Sequence, residues 1–296
     1  MTDKKYIKSP MNYTGGKYKL LPQIEPLFPT KINLFVDLFT GGGDIAVNAK
    51  ANKIIANDIE ENIIGIHRVF QEYDNVDELI NAIEVVINAY GLTIRDAEAY
   101  NKCRSDYNQW KWLWRKVPLP YNININILLY VLMCYSFNHQ FRFNSKGEFN
   151  MPFGKERSQW NDNMKNNLIN FYRGIKEKDV IFLNKDFREL KTDKLGPDDF
   201  VYCDPPYLIT CATYNEKNVW NEKCERELLG LLDELEKKSI KFALSNVIYS
   251  KGKTNDILVD WAKKYNIHHL DYTYQNCNYH TKDKTNKSDE VLITNY

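Results

Sequence analysis

The chain has 296 residues, 43% of them hydrophobic, enough to bury a real core as one large domain or as a core with a sizeable insertion. Net charge is only +1, yet residues 58–99 carry ten acids against Arg68 and Arg95, while residues 100–180 carry 13 Lys/Arg against six acids, so one face is suited to a polyanion. No run of 18 apolar residues, no apolar leader after Met1, no Cys-x-x-Cys and no zinc-ligand spacing argue against a membrane span, a secreted disulfide scaffold and a metal centre; the expectation is a soluble, cytoplasmic chain with reduced thiols.

In chain order, the first feature is Tyr13-Thr-Gly-Gly-Lys-Tyr18. Gly-Gly-Lys invites a phosphate-loop reading, but the upstream glycine spacing is absent and Tyr18 stands where a hydroxyl residue would hold magnesium. Leu34–Phe39 reads as a strand. Thr40 and Gly41–Gly43 follow it and open a helix near 44–50, glycines allowing a tight turn and a close backbone approach to a ligand. A second strand, Ile54–Asn57, ends at Asp58, at a distance from the glycine turn where an acid meets ribose hydroxyls in dinucleotide folds. The glycines do not form Gly-x-Gly-x-x-Gly, so a pyrophosphate is disfavoured and S-adenosylmethionine fits better; a plain strand–helix connection is the competing explanation.

A helix near 59–72 precedes a break in the alternation. Residues 75–178 read as an inserted, mainly helical domain with a hairpin, in which Gln140–Asn144 and Glu148–Asn150 flank the turn Ser145-Lys146-Gly147. Strands resume at Val180–Leu183, Phe200–Cys203, Ile240–Ser245, Ile267–Asp271 and Glu290–Asn295, with helices near 221–238 and 254–264. The predicted fold is α/β: a mostly parallel Rossmann-like sheet with helices on both faces, built from 1–74 and 179–296, with 75–178 inserted.

The most informative stretch is Asp204-Pro205-Pro206-Tyr207. The apolar strand before it must stop at two prolines, which leaves Asp204 at a strand's carboxyl end, where open α/β sheets bind ligands. The Asp204 carboxylate and the Pro205 carbonyl offer two acceptors to the two hydrogens of an exocyclic amine, and Tyr207 offers a ring face to the heterocycle bearing it. A simple strand-ending turn is the bland alternative.

Taken together and in this order, Tyr13–Lys17, Asp37–Gly43, Asn57–Ile59 and Asp204–Tyr207 resemble the Dam-type, alpha-group DNA adenine-N6 methyltransferases, especially the bacteriophage Dam enzymes. The likeness runs from about Ser9 onward and includes Phe137–Lys155, similar to that family's recognition hairpin. It implies an S-adenosylmethionine cofactor bound by Tyr13, Gly15, Lys17, Asp37, Phe39, Gly41, Gly42, Asp58, Ile59, Asp186 and Phe187. It implies catalysis by Asp204, Pro205, Pro206 and Tyr207 on a flipped-out adenine. It assigns DNA contacts to Asn138, Gln140, Arg142, Asn144, Pro152, Lys155 and Arg157. Glu156 and Gln140 depart from the phage pattern, so no recognition sequence is assigned. The implied partners are double-stranded DNA and a cognate restriction endonuclease, the implied oligomeric state a monomer.

Two other readings stay open on the residues. Related Pro-Pro-Tyr motifs act on cytosine N4, RNA bases or glutamine amides, against which Asp204 and the hairpin favour adenine in DNA. A non-catalytic DNA-binding module is the other; it would have no reason to keep both the cofactor acids and Asp204.

Overall fold

The computed structural model describes residues 6–113, 123–210, 220–271 and 288–296. Cys211, Cys277 and most of the polar Lys282–Asp289 stretch lie outside them. The helices are α1 (Leu21–Ile24), α2 (Asp44–Asn48), α3 (Glu61–Glu72), α4 (Val76–Tyr90), α5 (Ala97–Trp110), α6 (Ile125–Tyr135), α7 (Asp162–Lys176), α8 (Glu222–Lys237) and α9 (Asp256–Ala262). The strands are β1 (Leu34–Asp37), β2 (Lys53–Asp58), β3 (Asp179–Asn184), β4 (Phe200–Cys203), β5 (Lys241–Ser250), β6 (Lys253–Thr254), β7 (Asn266–Leu270) and β8 (Asp289–Thr294). The fold is mixed α/β, a central sheet with flanking helices. The abundant asparagine has a structural use here. Asn75, Asn124, Asn161, Asn221 and Asn255, with Asp96, cap six of these helices through their side chains, each cap worth about 1 kcal/mol.

The chain packs as two compact units. The first comprises Met1–Tyr18, Gly41–Asn48 and Glu60–Glu177. Its centre is α6, buried along nearly its whole length and packed by α3, α4 and α5, while α7 packs on α2, α3 and α4. The second comprises Lys19–Thr40, Ala49–Ile59 and Lys178–Tyr296, and holds the entire sheet.

Strand order in that sheet is β3-β2-β1-β4-β5-β8-β7, with β6 paired to β5. The first five in this order run parallel, as the apolar runs predict. At the other end β8 enters antiparallel between β5 and β7, a pairing that requires no crossover helix and leaves the sheet mostly parallel, as expected. Leu228, Leu229, Leu232 and Leu235 of α8 share a core with Val201, Cys203, Phe242 and Leu244 of β4 and β5. Each such side chain contributes about 1.5–3 kcal/mol on burial. Among the described residues Cys103, Cys134, Cys203 and Cys224 are buried free thiols, and no helix is long and apolar enough to cross a membrane.

One topological fact places the chemistry. From β1 the chain steps to β2 and β3, then returns to β1's other side with β4. The carboxyl ends of β1 and β4 therefore flank a switch point, where doubly wound sheets bind ligands.

Candidate active site

Within the second unit, three acids close strands at that end of the sheet. Asp37 is the last residue of β1, Asp58 the last of β2, and Asp204 follows β4 directly. Asp37 is 1% exposed. Its Oδ2 accepts from the Thr40 hydroxyl at 3.1 Å, but its Oδ1 is buried without a hydrogen-bond partner among the described residues. Burial pushes this carboxyl up to about 8, the nearby charges of Asp204 and Asp58 add to the rise, and the Thr40 hydrogen bond opposes it. A buried polar atom left without a partner costs about 1–3 kcal/mol.

Amide side chains fix the strand ends around it. Asn57 Nδ2 donates to the carbonyls of Leu38 at 3.1 Å and Lys185 at 3.0 Å, and Thr40 N donates to the Asn57 carbonyl at 2.7 Å. Asn184 Nδ2 donates to the carbonyls of Asp58 at 3.0 Å and Ile59 at 2.9 Å. Ile59 presents a large apolar side chain that is 59% exposed. Phe39, Phe187 and Trp220 form an aromatic trio with centroids 5.6–5.7 Å apart. Trp220 Nε1 donates to buried Glu225 at 2.8 Å, which also accepts from Asn246 and Asn255. Asp186 is engaged in its own turn: it caps Phe187–Glu189 and pairs with Arg188 Nη1 at 2.7 Å.

The Asp204–Tyr207 tetrapeptide leaves the sheet as the two prolines require. Asp204 and Tyr207 are half-buried, Pro205 is buried and Pro206 exposed. The Tyr207 hydroxyl lies 2.9 Å from Asp204 Oδ1 and 3.1 Å from Glu290 Oε1, a buried residue of β8.

In the first unit the glycine turn is shaped by the protein itself. Gly41 and Gly43 have positive φ, and a methyl group on Gly41 would stand 2.8 Å from the Tyr13 ring. A methyl group on Gly43 would meet His67 and Phe171 at 3.0 Å. His67 is fully buried, stacks on Phe171 and donates from Nε2 to the Gly41 carbonyl at 2.8 Å. Burial lowers its pKa to about 4, so the ring is neutral at ordinary pH. Gly15 also has positive φ, and buried Lys17 donates to its carbonyl at 2.9 Å.

The same unit carries the predicted hairpin. Asn150 N donates to the Arg142 carbonyl at 2.9 Å, and Asn144 N to the Glu148 carbonyl at 2.9 Å. Asn144 serves the turn: its Oδ1 accepts from Lys146 N and Glu148 N, and its Nδ2 donates to the Glu148 carboxylate. Arg142 is exposed but braced, Nε and Nη2 each donating to Asn150 at 2.8 Å. Pro152, Lys155 and Arg157 are exposed, Gln140 is half-buried, and Asn138 is exposed with positive φ.

The hairpin's outer edge faces α5. Tyr100 Oη and Arg104 Nη1 donate to the Met151 carbonyl, and Lys111 Nζ donates to the Gly147 carbonyl. Asn108 both donates to the Phe149 carbonyl at 3.0 Å and accepts from the Phe149 N–H at 2.8 Å. Side chains one turn apart on α5 thus meet alternate residues of the hairpin's second arm, as a third strand would. Nothing in the sequence marks these polar helix residues off from an ordinary solvated face.

The model of the D12 class N6 adenine-specific DNA methyltransferase family matches residues 13–276. The chain belongs to this family. It is 46% identical to the type II methyltransferase M.FokI of Planomicrobium okeanokoites, over 98% of this chain and 43% of that protein. It is 45% identical to the modification methylase StsI of Streptococcus sanguinis, over 99% of this chain and 43% of the relative. The DNA adenine methylase of Escherichia coli K12 is 26% identical over 80% of this chain and 79% of its own length. The chain thus spans less than half the length of M.FokI and StsI. Its Dam-type kinship is real, whereas a particular likeness to bacteriophage Dam enzymes is not shown by these relatives. Sequence reading gave no role to Glu290, although its segment Asp289–Leu292 resembles the family, nor to Trp220, nor to the row Tyr100, Arg104 and Asn108 of α5 with Lys111 just after it.

Proposed function

We propose that the protein transfers a methyl group from S-adenosylmethionine to the N6 amino group of adenine in double-stranded DNA, at a specific site. The observation that carries this is the half-buried Asp204 beside Pro205 and Tyr207 at the switch point, with buried Asp37 near enough to feel its charge. Asp37 suits the cofactor because its Oδ1 lacks a partner among the described residues and, once a cationic guest displaces its proton, the carboxylate can pair with that charge. Asp58 would meet the ribose hydroxyls and the exposed Ile59 side chain, with Phe187, the adenine ring, as the resemblance implies. The resemblance alone assigns Tyr13, Gly15 and Lys17 to the same cofactor. When bound, the cofactor supplies an electrophilic methyl on a sulfonium.

Adenine N6 is a poor nucleophile, its lone pair being delocalised into the ring. Asp204 and the Pro205 carbonyl hold its two hydrogens, favour a pyramidal nitrogen and aim the lone pair, so positioning and electrostatics drive a direct displacement. The surplus proton becomes acidic only after methylation, so Asp204 need not be a strong base. The target is inaccessible inside a duplex; the base is flipped out and stacked on Tyr207. Residues 75–178 act as the recognition insert, with Arg142 of the hairpin suited to guanine and Asn or Gln to adenine. The names of M.FokI and StsI support a role in a restriction–modification pair, in the cytoplasm, with a nuclease of the same specificity as partner; a monomer suffices for this chemistry.

The test is single-molecule sequencing of DNA from a methylation-free host expressing the chain. One motif carrying N6-methyladenine is the expected result. No modified adenine, with soluble protein in hand, would overturn the reading and redirect attention to other acceptor amines.

A further inference from the structure

We propose that Glu290 is a positioning residue for methyl transfer: it holds the Tyr207 hydroxyl in place while Asp204 turns to the target amine. The proposal rests on the functional reading above.

Glu290 is 1% exposed, in a strand whose following residues Val291, Leu292, Ile293 and Thr294 are fully buried. A carboxylate in such a strand is costly unless it has partners. Its backbone is fixed on both sides, opposite Val247 of β5 and Leu270 of β7, and the β5–β8 register shifts immediately after the Val247 pair. The side chain is therefore delivered from a strand paired on both sides to a tetrapeptide 83 residues away in sequence, where Oε1 lies 3.1 Å from the Tyr207 hydroxyl.

That hydroxyl has one hydrogen and two carboxylate neighbours. It can donate to Asp204 or to Glu290, but not fully to both. With Asp204 as acceptor, an Asp204 oxygen is tied up by its own motif. With Glu290 as acceptor, Asp204 Oδ1 is released to an incoming N–H. The hydrogen changes acceptor without leaving the tyrosine oxygen, so no proton is gained or lost. Tyr207 then keeps its ring plane with the help of the Glu290 contact, and the ring available for stacking is oriented before a base arrives. Glu290 touches neither base nor cofactor in this scheme; it acts through Tyr207.

The test is a double-mutant cycle in the full chain with Glu290→Gln and Tyr207→Phe, using a duplex that carries the motif found by sequencing. Single-turnover methyl transfer, KM for DNA and cofactor affinity are measured, with 2-aminopurine at the target position to report its stacking. Each single variant is expected to lower the transfer rate about 10-fold or more while cofactor affinity is unchanged, as loss of one positioned hydrogen bond does. Glu290→Gln should have no further effect once Tyr207 is Phe, because the shared hydroxyl is gone. Independent, multiplying losses would overturn the proposal, and so would an unchanged rate in Tyr207→Phe. The latter variant leaves the buried strand intact, so it decides the matter even if Glu290→Gln folds poorly. A wild-type chain that methylates no adenine would bring down the functional reading itself. An active wild type with an additive cycle would bring down only Glu290's role.

Discussion

Asn108 binds the backbone of Phe149 twice, donating to its carbonyl and accepting from its N–H, as a neighbouring strand residue would. Asn108→Ala leaves both groups without that partner and should destabilise the chain by about 1–3 kcal/mol. If the hairpin reads DNA, the same variant lowers DNA affinity and sequence selectivity while cofactor affinity holds. Chemical denaturation, DNA binding and cofactor calorimetry measured together separate these effects. An equal fall in cofactor affinity would mean that the damage is not confined to the hairpin.

The proton on Asp37 gives a second expectation. Its folded pKa, about 8, is raised above its ordinary 3.8, so between these values the folded chain keeps a proton that the unfolded chain has lost. The carboxyl's contribution therefore makes the ligand-free protein less stable as pH rises from about 4 to about 8, with no further change above that. Binding a cationic cofactor at pH 7 should expel roughly one proton. Calorimetry in two buffers of different ionisation enthalpy reads that proton directly. Asp37→Asn should abolish the release and weaken binding; a release unchanged in the variant would assign the proton to another group.

Asp204→Ala should reduce methyl transfer by about 100-fold or more, the scale expected for losing one preorganised polar contact to the reacting group. Cofactor binding should be largely spared, because Asp204 is assigned to the target amine. Near-normal turnover would show that the amine is held elsewhere.

Arg142→Ala separates two kinds of DNA contact. If Arg142 reads guanine, discrimination falls by about 1–3 kcal/mol at one base position. A uniform loss across all sequences, with a shallower salt dependence, would make it a phosphate contact. Because Asn150 Oδ1 accepts from Nε while the Asn150 backbone carbonyl accepts from Nη2, Asn150→Ala removes one of the two braces and should reproduce part of the loss.

What could be read from the sequence was whatever is local in the chain. Apolar runs marked β1, β2 and β4, and two prolines placed Asp204 at a strand end, since each signal sits within a few residues of its consequence. Glu290 lies in Asp289–Leu292, a segment that resembles the family, but its contact was illegible because its partner is Tyr207 in another part of the chain. The row from Tyr100 to Lys111 has the polarity of a solvated helix; only the fold turns it toward the hairpin edge. Asp186 and Asn144 show the converse. Each matches a functional position by resemblance, and each has its side chain engaged in a turn of its own.

β8 is made after β7 yet lies between β7 and β5. On the ribosome, the acids of β1, β2 and β4 have all emerged before residue 290 has been translated. Until it has, β7 has no described neighbour to pair with and Tyr207 lacks the carboxylate from β8. An emerging chain therefore has its ligand-facing acids well before the last support of its tetrapeptide, and the emergence of residue 290, rather than the appearance of Asp204, marks when that support can form.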